Sequence, residues 1–140
     1  MRFRSIGVFL LVSFPVTVLD QLSKKIAIQG GLSVAENRGI AFGLFQSLDW
    51  LIFVSAILVV GLFWLRSLRS FSSRLEPLSF GLLIGGASSN LLDRALRGSV
   101  VDFLQFGRGL RFNLADVAIV GGLLLFSWKV VFGQMRGRSI

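Results

Sequence analysis

The chain contains no cysteine, no histidine and no tyrosine. Without histidine there is no serine-histidine or cysteine-histidine nucleophile system and no histidine-liganded zinc, and without cysteine there is no disulfide, thiolate metal site or reactive thiol. Carboxylate, lysine and hydroxyl are left to carry any catalysis. Acid is scarce as well: seven Asp and Glu face 15 Lys and Arg over 140 residues, a formal net charge of +8. Such a balance can mark nucleic-acid binding, but the basic residues are spread along the chain and not gathered on one face or tail, so nucleic acid is not expected as a partner. Apolar residues are what the chain has in excess, at 54% of the sequence, with a mean hydropathy of +0.77. A water-soluble domain of this size and composition would have too little polar surface to cover itself, and the chain reads as a membrane protein.

Four apolar stretches, Ser5 to Leu22, Gly43 to Leu65, Leu78 to Leu96 and Leu114 to Phe132, approach the ~20 residues a helix needs to cross a ~30 Å hydrocarbon core. Lys and Arg in short loops stay on the cytoplasmic side. Arg2 and Arg4 precede the first stretch, Arg66, Arg69 and Arg74 follow the second, and Lys129, Arg136 and Arg138 end the chain. This bias puts both termini in the cytoplasm and the connections around Ala27 to Phe42 and Gly98 to Phe112 outside. Lys24, Lys25, Arg38, Arg94, Arg97, Arg108 and Arg111 then lie at the outer face, where some of them need partners. A cleaved signal peptide is disfavoured, because Ser33-Val34-Ala35 lies well beyond the first apolar run with Asp20, Lys24 and Lys25 between. Pro15 is expected to kink the first helix. Gly81, Gly85 and Ser89 recur every fourth residue, a stripe that lets helices approach closely.

In this orientation Asp20, Glu36, Asp49, Asp93, Asp102 and Asp116 lie at or near the outer face and only Glu76 lies on the cytoplasmic side. Ionisable groups at membrane depth are costly and usually face a bundle interior. Asp20 and Lys24 are one helical turn apart and can pair. Asn90, Asp93 and Arg94, at i, i+3 and i+4, share one side of the third helix and are expected to anchor a polar network. Asp102 follows the third span and Asp116 opens the fourth, with Gly107 and Gly109 between them, so the two carboxylates can meet. Two carboxylates in one site hold a single proton at working pH, as aspartic proteases require: one activates water and the other polarises the scissile carbonyl. Asn113-Leu114-Ala115-Asp116 also reads as a capping box, which explains Asp116 without catalysis. On spacing alone both readings stand.

Four ordered blocks resemble the lipoprotein signal peptidases (signal peptidase II), intramembrane aspartic proteases of bacteria. Asp20-Gln21-Leu22-Ser23-Lys24 is similar to their D-x-x-x-K block, and Asn37-Arg38-Gly39-Ile40-Ala41-Phe42 to N-x-G-x-A-F. The run from Gly85 through Asn90, Asp93 and Arg94 to Val100-Val101-Asp102-Phe103 is similar to G-G-A-x-x-N-x-x-D-R and V-V-D-F, and Phe112-Asn113-Leu114-Ala115-Asp116 to F-N-x-A-D.

The resemblance implies that Asp102 and Asp116 are the catalytic dyad, that Asn90, Asp93, Arg94 and Asn113 support it, and that Asp20, Lys24, Asn37 and Gly39 shape or bind near the site. It implies an all-α membrane protein of four transmembrane helices with small extracytoplasmic β and loop elements, residues 1–140 forming one peptidase domain. The expected substrate is a prolipoprotein whose cysteine carries a diacylglyceryl group, cut just before that cysteine, with no metal or cofactor. The expected setting is the bacterial inner membrane, with membrane lipids around a monomer and the site at the extracytoplasmic face. Phe103, Phe106 and Phe112 beside Arg108 and Arg111 suit a loop seated among headgroups. The outer connections are compact relative to the family's cradle and lid, and Glu36 before Asn37 is atypical. Competing readings are a divergent homologue acting on another membrane substrate, a non-catalytic scaffold or small transporter, and a serine-lysine peptidase built on Ser23 and Lys24.

Overall fold

The computed structural model of the protein describes residues 2–38, 57, 60, 61, 65 and 75–136. Three long helices and two small antiparallel ribbons account for most of them. The order is α1 (Arg2–Gln29), β1 (Ala35–Asn37), α2 (Leu75–Arg97), β2 (Val100–Asp102), β3 (Leu104–Phe106), β4 (Leu110–Phe112) and α3 (Leu114–Arg136). Most of the second apolar stretch, and Gly39, lie outside the described residues.

Helix α1 runs uninterrupted through Pro15 and continues seven residues past the expected end at Leu22. The charges that mark the edge of an apolar run do not end this helix, because Lys24 finds Asp20 one turn back, at 2.6 Å. At 1.5 Å per residue its 28 residues extend about 42 Å, longer than a bilayer's ~30 Å hydrocarbon core. It stops where glycine permits a left-handed turn: Gly31 has φ 70°, and the Gly30 and Leu32 N–H groups close back on the carbonyls of Ile26 and Ala27.

Helix α2 is the central element. Its glycines let both neighbours come close on different faces. A Cβ at Gly85 would lie 2.7 Å from the Ser13 carbonyl oxygen of α1, and one at Gly86 would overlap the Ala115 carbonyl oxygen of α3. Gly81 against Val12 extends the first contact and Gly122 against Ser79 the second, so the expected small-residue stripe is a packing device. The Thr17 hydroxyl donates to the Gly85 carbonyl at 2.9 Å. Phe9, Phe80 and Ile84 fill the space between α1 and α2, and Phe80 meets Phe126 of α3 edge to face, ring centroids 5.6 Å apart. Where α2 begins, the buried Glu76 carboxylate accepts from Lys129 of α3.

The outer faces of α1 and α3 are apolar and open. Leu11, Phe14 and Ile26 on α1 are 74, 70 and 68% exposed, and Val120 and Leu124 on α3 are 55 and 66% exposed. A helix surface of this kind needs lipid around it. Gly7–Gln29 and Leu114–Val131 are both long and apolar enough to cross a membrane.

The ribbons sit where α1 and α2 end and α3 begins. Strand β1 pairs with β2, Ala35 opposite Asp102 and Asn37 opposite Val100. Strand β3 pairs with β4, Leu104 opposite Phe112. The turn between β3 and β4 uses Gly107 at φ 61°.

Candidate active site

Asp102 and Asp116 arrive from different elements. Asp102 ends β2 and is buried; Asp116 lies in the first turn of α3. Both carboxylates are held by amides. Asn37 and Asp102 lie diagonally on one face of the β1–β2 ribbon, because side chains alternate along each strand. The Asn37 Nδ2 donates to Asp102 Oδ2 at 3.1 Å. Asn113 Nδ2 donates to Asp102 Oδ1 at 2.7 Å, and Asn90 Nδ2 donates to Asp116 Oδ1 at 2.9 Å.

Asn113 joins the pair. While its side-chain amide holds Asp102, its backbone N–H donates to Asp116 Oδ2 at 3.2 Å, and its Oδ1 accepts the Asp116 backbone N–H at 2.9 Å. These reciprocal bonds are the capping box expected from Asn113 to Asp116. The cap of α3 and the bond to Asp102 are thus made by the same residue. Asn113 is fully buried, so its amide has no competing water.

Burial pushes the Asp102 carboxyl above its ordinary value of 3.8; the Asn37 hydrogen bond opposes this and the negative charge of Asp116 adds to it. A carboxyl that resists ionisation beside a second carboxylate is the condition for a shared proton. The pair can hold one proton and activate one water.

Behind the pair lies a buried ionic cluster. Lys24 reaches Asp20 at 2.6 Å and Asp93 at 2.7 Å, and all three side chains are buried. Asp93 also binds Arg97, one turn on, at 2.8 Å. Gln21 Nε2 donates to Asp93 Oδ1 and to the Ser89 hydroxyl, each at 2.9 Å, and that hydroxyl donates to Asp20 Oδ2 at 2.7 Å.

The structure thus brings Asp20, Lys24, Asn37, Asn90, Asp93 and Asn113 together around Asp102 and Asp116. Arg94 is joined through the backbone, its Nη1 donating to the Asn90 carbonyl at 3.3 Å. The principal charge partners of Asp93 are Lys24 and Arg97. Gln21, Ser89 and Arg97 also belong to the cluster: Arg97 is the outer cation whose partner its i+4 spacing to Asp93 makes readable, whereas Ser89, expected only as a packing residue, meets Gln21 because α1 packs against α2. Ser23 donates to the Leu19 carbonyl and Lys24 is committed to the cluster, so these two residues do not form a serine-lysine nucleophile. Of the ring-bearing outer residues, Phe106 is 73% exposed, while Arg111 binds the Ser33 carbonyl and hydroxyl at 3.2 and 3.0 Å, tying β4 to the segment before β1.

Comparison with known proteins places this geometry in context. Residues 12–132 match the family model described as signal peptidase (SPase) II. A lipoprotein signal peptidase of Syntrophomonas wolfei is 42% identical across 95% of this chain and 97% of its own length. One of Mycobacterium tuberculosis is 34% identical across 93% of this chain and 74% of its own. A solved structure described as a bacterial membrane enzyme superposes with a TM-score of 0.85 at 21% identity, covering 96% of this chain and 93% of that one, which shows that the fold is shared.

Proposed function

The chain belongs to the signal peptidase II family, and we propose that it cuts the signal peptide from diacylglyceryl-modified prolipoproteins, before the lipidated cysteine, with Asp102 and Asp116 as the catalytic dyad. The observation that carries the dyad is Asn113, whose side-chain amide holds one carboxylate and whose backbone N–H holds the other. One ionised aspartate takes a proton from water as the water attacks the scissile carbonyl. The protonated partner gives its proton to that carbonyl oxygen; as the C–N bond breaks, the proton taken from water passes to the departing amine and the re-forming carbonyl returns the other proton to the partner. The amides of Asn37, Asn90 and Asn113 keep both carboxylates aimed, so little reorganisation accompanies the step.

In this reading residues 1–140 form one domain of four spans, the second over residues 43–65, with both termini in the cytoplasm. The clusters of Arg2 and Arg4, of Arg66, Arg69 and Arg74, and of Arg136 and Arg138 support that orientation. The site then lies at the extracytoplasmic face of the bacterial cytoplasmic membrane, at the depth where a lipidated precursor presents the bond before its cysteine. The exposed Phe106, with Arg108 in the adjoining turn, suits the headgroup layer. The protein acts as a monomer.

The test is cleavage of a diacylglyceryl-modified prolipoprotein by the purified protein in lipid, beside Asp102→Asn and Asp116→Asn. Loss of cleavage in both folded variants is expected. An intact precursor with the wild-type protein would move the substrate elsewhere; activity in either variant would remove that residue from the dyad.

A further inference from the structure

Lys24 has three N–H donors and three buried acceptors: Asp20 Oδ2 at 2.6 Å, Asp93 Oδ2 at 2.7 Å and Asn90 Oδ1 at 3.1 Å. Each of those acceptors has a second task beside the dyad. Asp20 Oδ1 accepts the backbone N–H of Ala115 at 2.9 Å, the residue before Asp116. Asp93 Oδ2 accepts the backbone N–H of Val101 at 3.3 Å, the residue before Asp102. The Asn90 oxygen is taken by Lys24 and by the Asn113 amide, which leaves its Nδ2 turned to Asp116 Oδ1.

Resting on the dyad reading above, we propose that Lys24 is a positioning residue that sets the separation of Asp102 and Asp116. One ammonium draws two carboxylates to a single point, and each carboxylate grips the main chain one residue ahead of a dyad aspartate. Without the ammonium, Asp20 and Asp93 repel each other and carry Ala115 and Val101 apart. The Asn90 amide also loses the donor that fixes which way it faces. A lysine needed only to neutralise buried acid would not have to reach both main-chain clamps and the Asn90 amide at once.

The experiment measures kcat and KM of Lys24→Met per folded molecule, the folded fraction being counted by size-exclusion chromatography. A shift of about 1 Å in reacting groups costs about 100-fold in rate, so kcat is expected to fall by that order with KM little changed. A merely structural lysine would lower the yield of folded protein and leave kcat per folded molecule intact, and that result would overturn the proposal. Lys24→Met leaves the buried Asp20 carboxylate without its cation and Asp93 with Arg97 alone, and can fail to fold. The triple variant Asp20→Asn, Lys24→Met, Asp93→Asn removes that imbalance and keeps both main-chain acceptors, so it carries the same test: a slow, folded enzyme supports the role, and wild-type kcat ends it. Asp102→Asn and Asp116→Asn run alongside. If they are inactive while the Lys24 variants are fully active, only the positioning role fails; if they are active, the dyad reading itself fails.

Discussion

Asp20 and Ala115 are 95 residues apart in sequence and are joined by a 2.9 Å bond from the Ala115 backbone N–H to Asp20 Oδ1. The first N–H groups of a helix have no intrahelical partner. In α3 they are met from two directions: Asn113, the residue just before the helix, caps the Asp116 N–H, and Asp20 of α1 caps the Ala115 N–H. The start of α3 is fixed against α1 before any substrate arrives.

Removing that acceptor should be costly. Asp20→Ala strips Lys24 of a buried partner and orphans the Ala115 N–H, and loss of one member of a buried ion pair costs about 3–5 kcal/mol. Asp20→Asn still offers an oxygen to Ala115 and should lose less. Thermal unfolding in detergent ranks the two.

Asn113 does two jobs that substitution can separate. Serine keeps an oxygen at the cap but is too short to hold Asp102, so Asn113→Ser should cut the cleavage rate by about 100-fold, the scale for losing one preorganised donor. Asn113→Ala should be as slow and lose about 1 kcal/mol more stability through the missing cap. Rate and melting temperature, measured on the same preparations, tell the two effects apart.

The close approach of α2 and α3 beside Asp116 predicts a contrast between two glycines. A Cβ at Gly86 meets the Ala115 carbonyl, whereas one at Gly121 meets nothing within 4 Å. Gly86→Ala should destabilise by about 1–3 kcal/mol and impair cleavage, since the displaced backbone carries Asp116. Gly121→Ala should gain about 0.5–1 kcal/mol from the better helix former. Unfolding curves showing the same effect at both positions would contradict the packing described.

The buried carboxyl of Asp102 gives stability a definite pH dependence. Its pKa is raised in the folded protein above the 3.8 of an ordinary Asp, so folding favours its protonated form. That contribution is complete below pH 3.8 and is lost as pH rises through the folded value. Asn in place of Asp cannot ionise. Asp102→Asn should therefore gain in melting temperature relative to wild type as pH rises from 4 toward 7, while losing activity throughout. A gap that stays constant across this range would show that Asp102 carries no such shift.

Contacts within one turn were legible in the sequence, as the Asp20–Lys24 pair and the box from Asn113 to Asp116 illustrate. Each depends on i, i+3 or i, i+4 geometry that any helix imposes. Contacts across helices were not. Spacing placed Asp93 in a polar network, and it anchors one, but its partner Lys24 on α1 could not be read from α2 alone, because the packing of α1 against α2 decides what faces it. Gln21 and Ser89 were hidden for the same reason. Helix α1 runs past Leu22, where the first apolar stretch ends, because the charge of Lys24 is neutralised by Asp20 inside the helix. Asn37 was flagged only by resemblance; its reach to Asp102 depends on the register of β1 against β2, which nothing local encodes.

The Asp20–Lys24 pair also bears on how the protein is made. Both residues precede Asn90, Asp93 and Ala115 in chain order, and because they lie one turn apart they can neutralise each other within α1 alone. The first helix can then partition into the bilayer without waiting for Asp93 or Ala115. In the assembled protein the same two side chains also hold Asp93 of α2 and the Ala115 N–H of α3, so a pair that α1 can form by itself is also the point at which the other two helices are fastened.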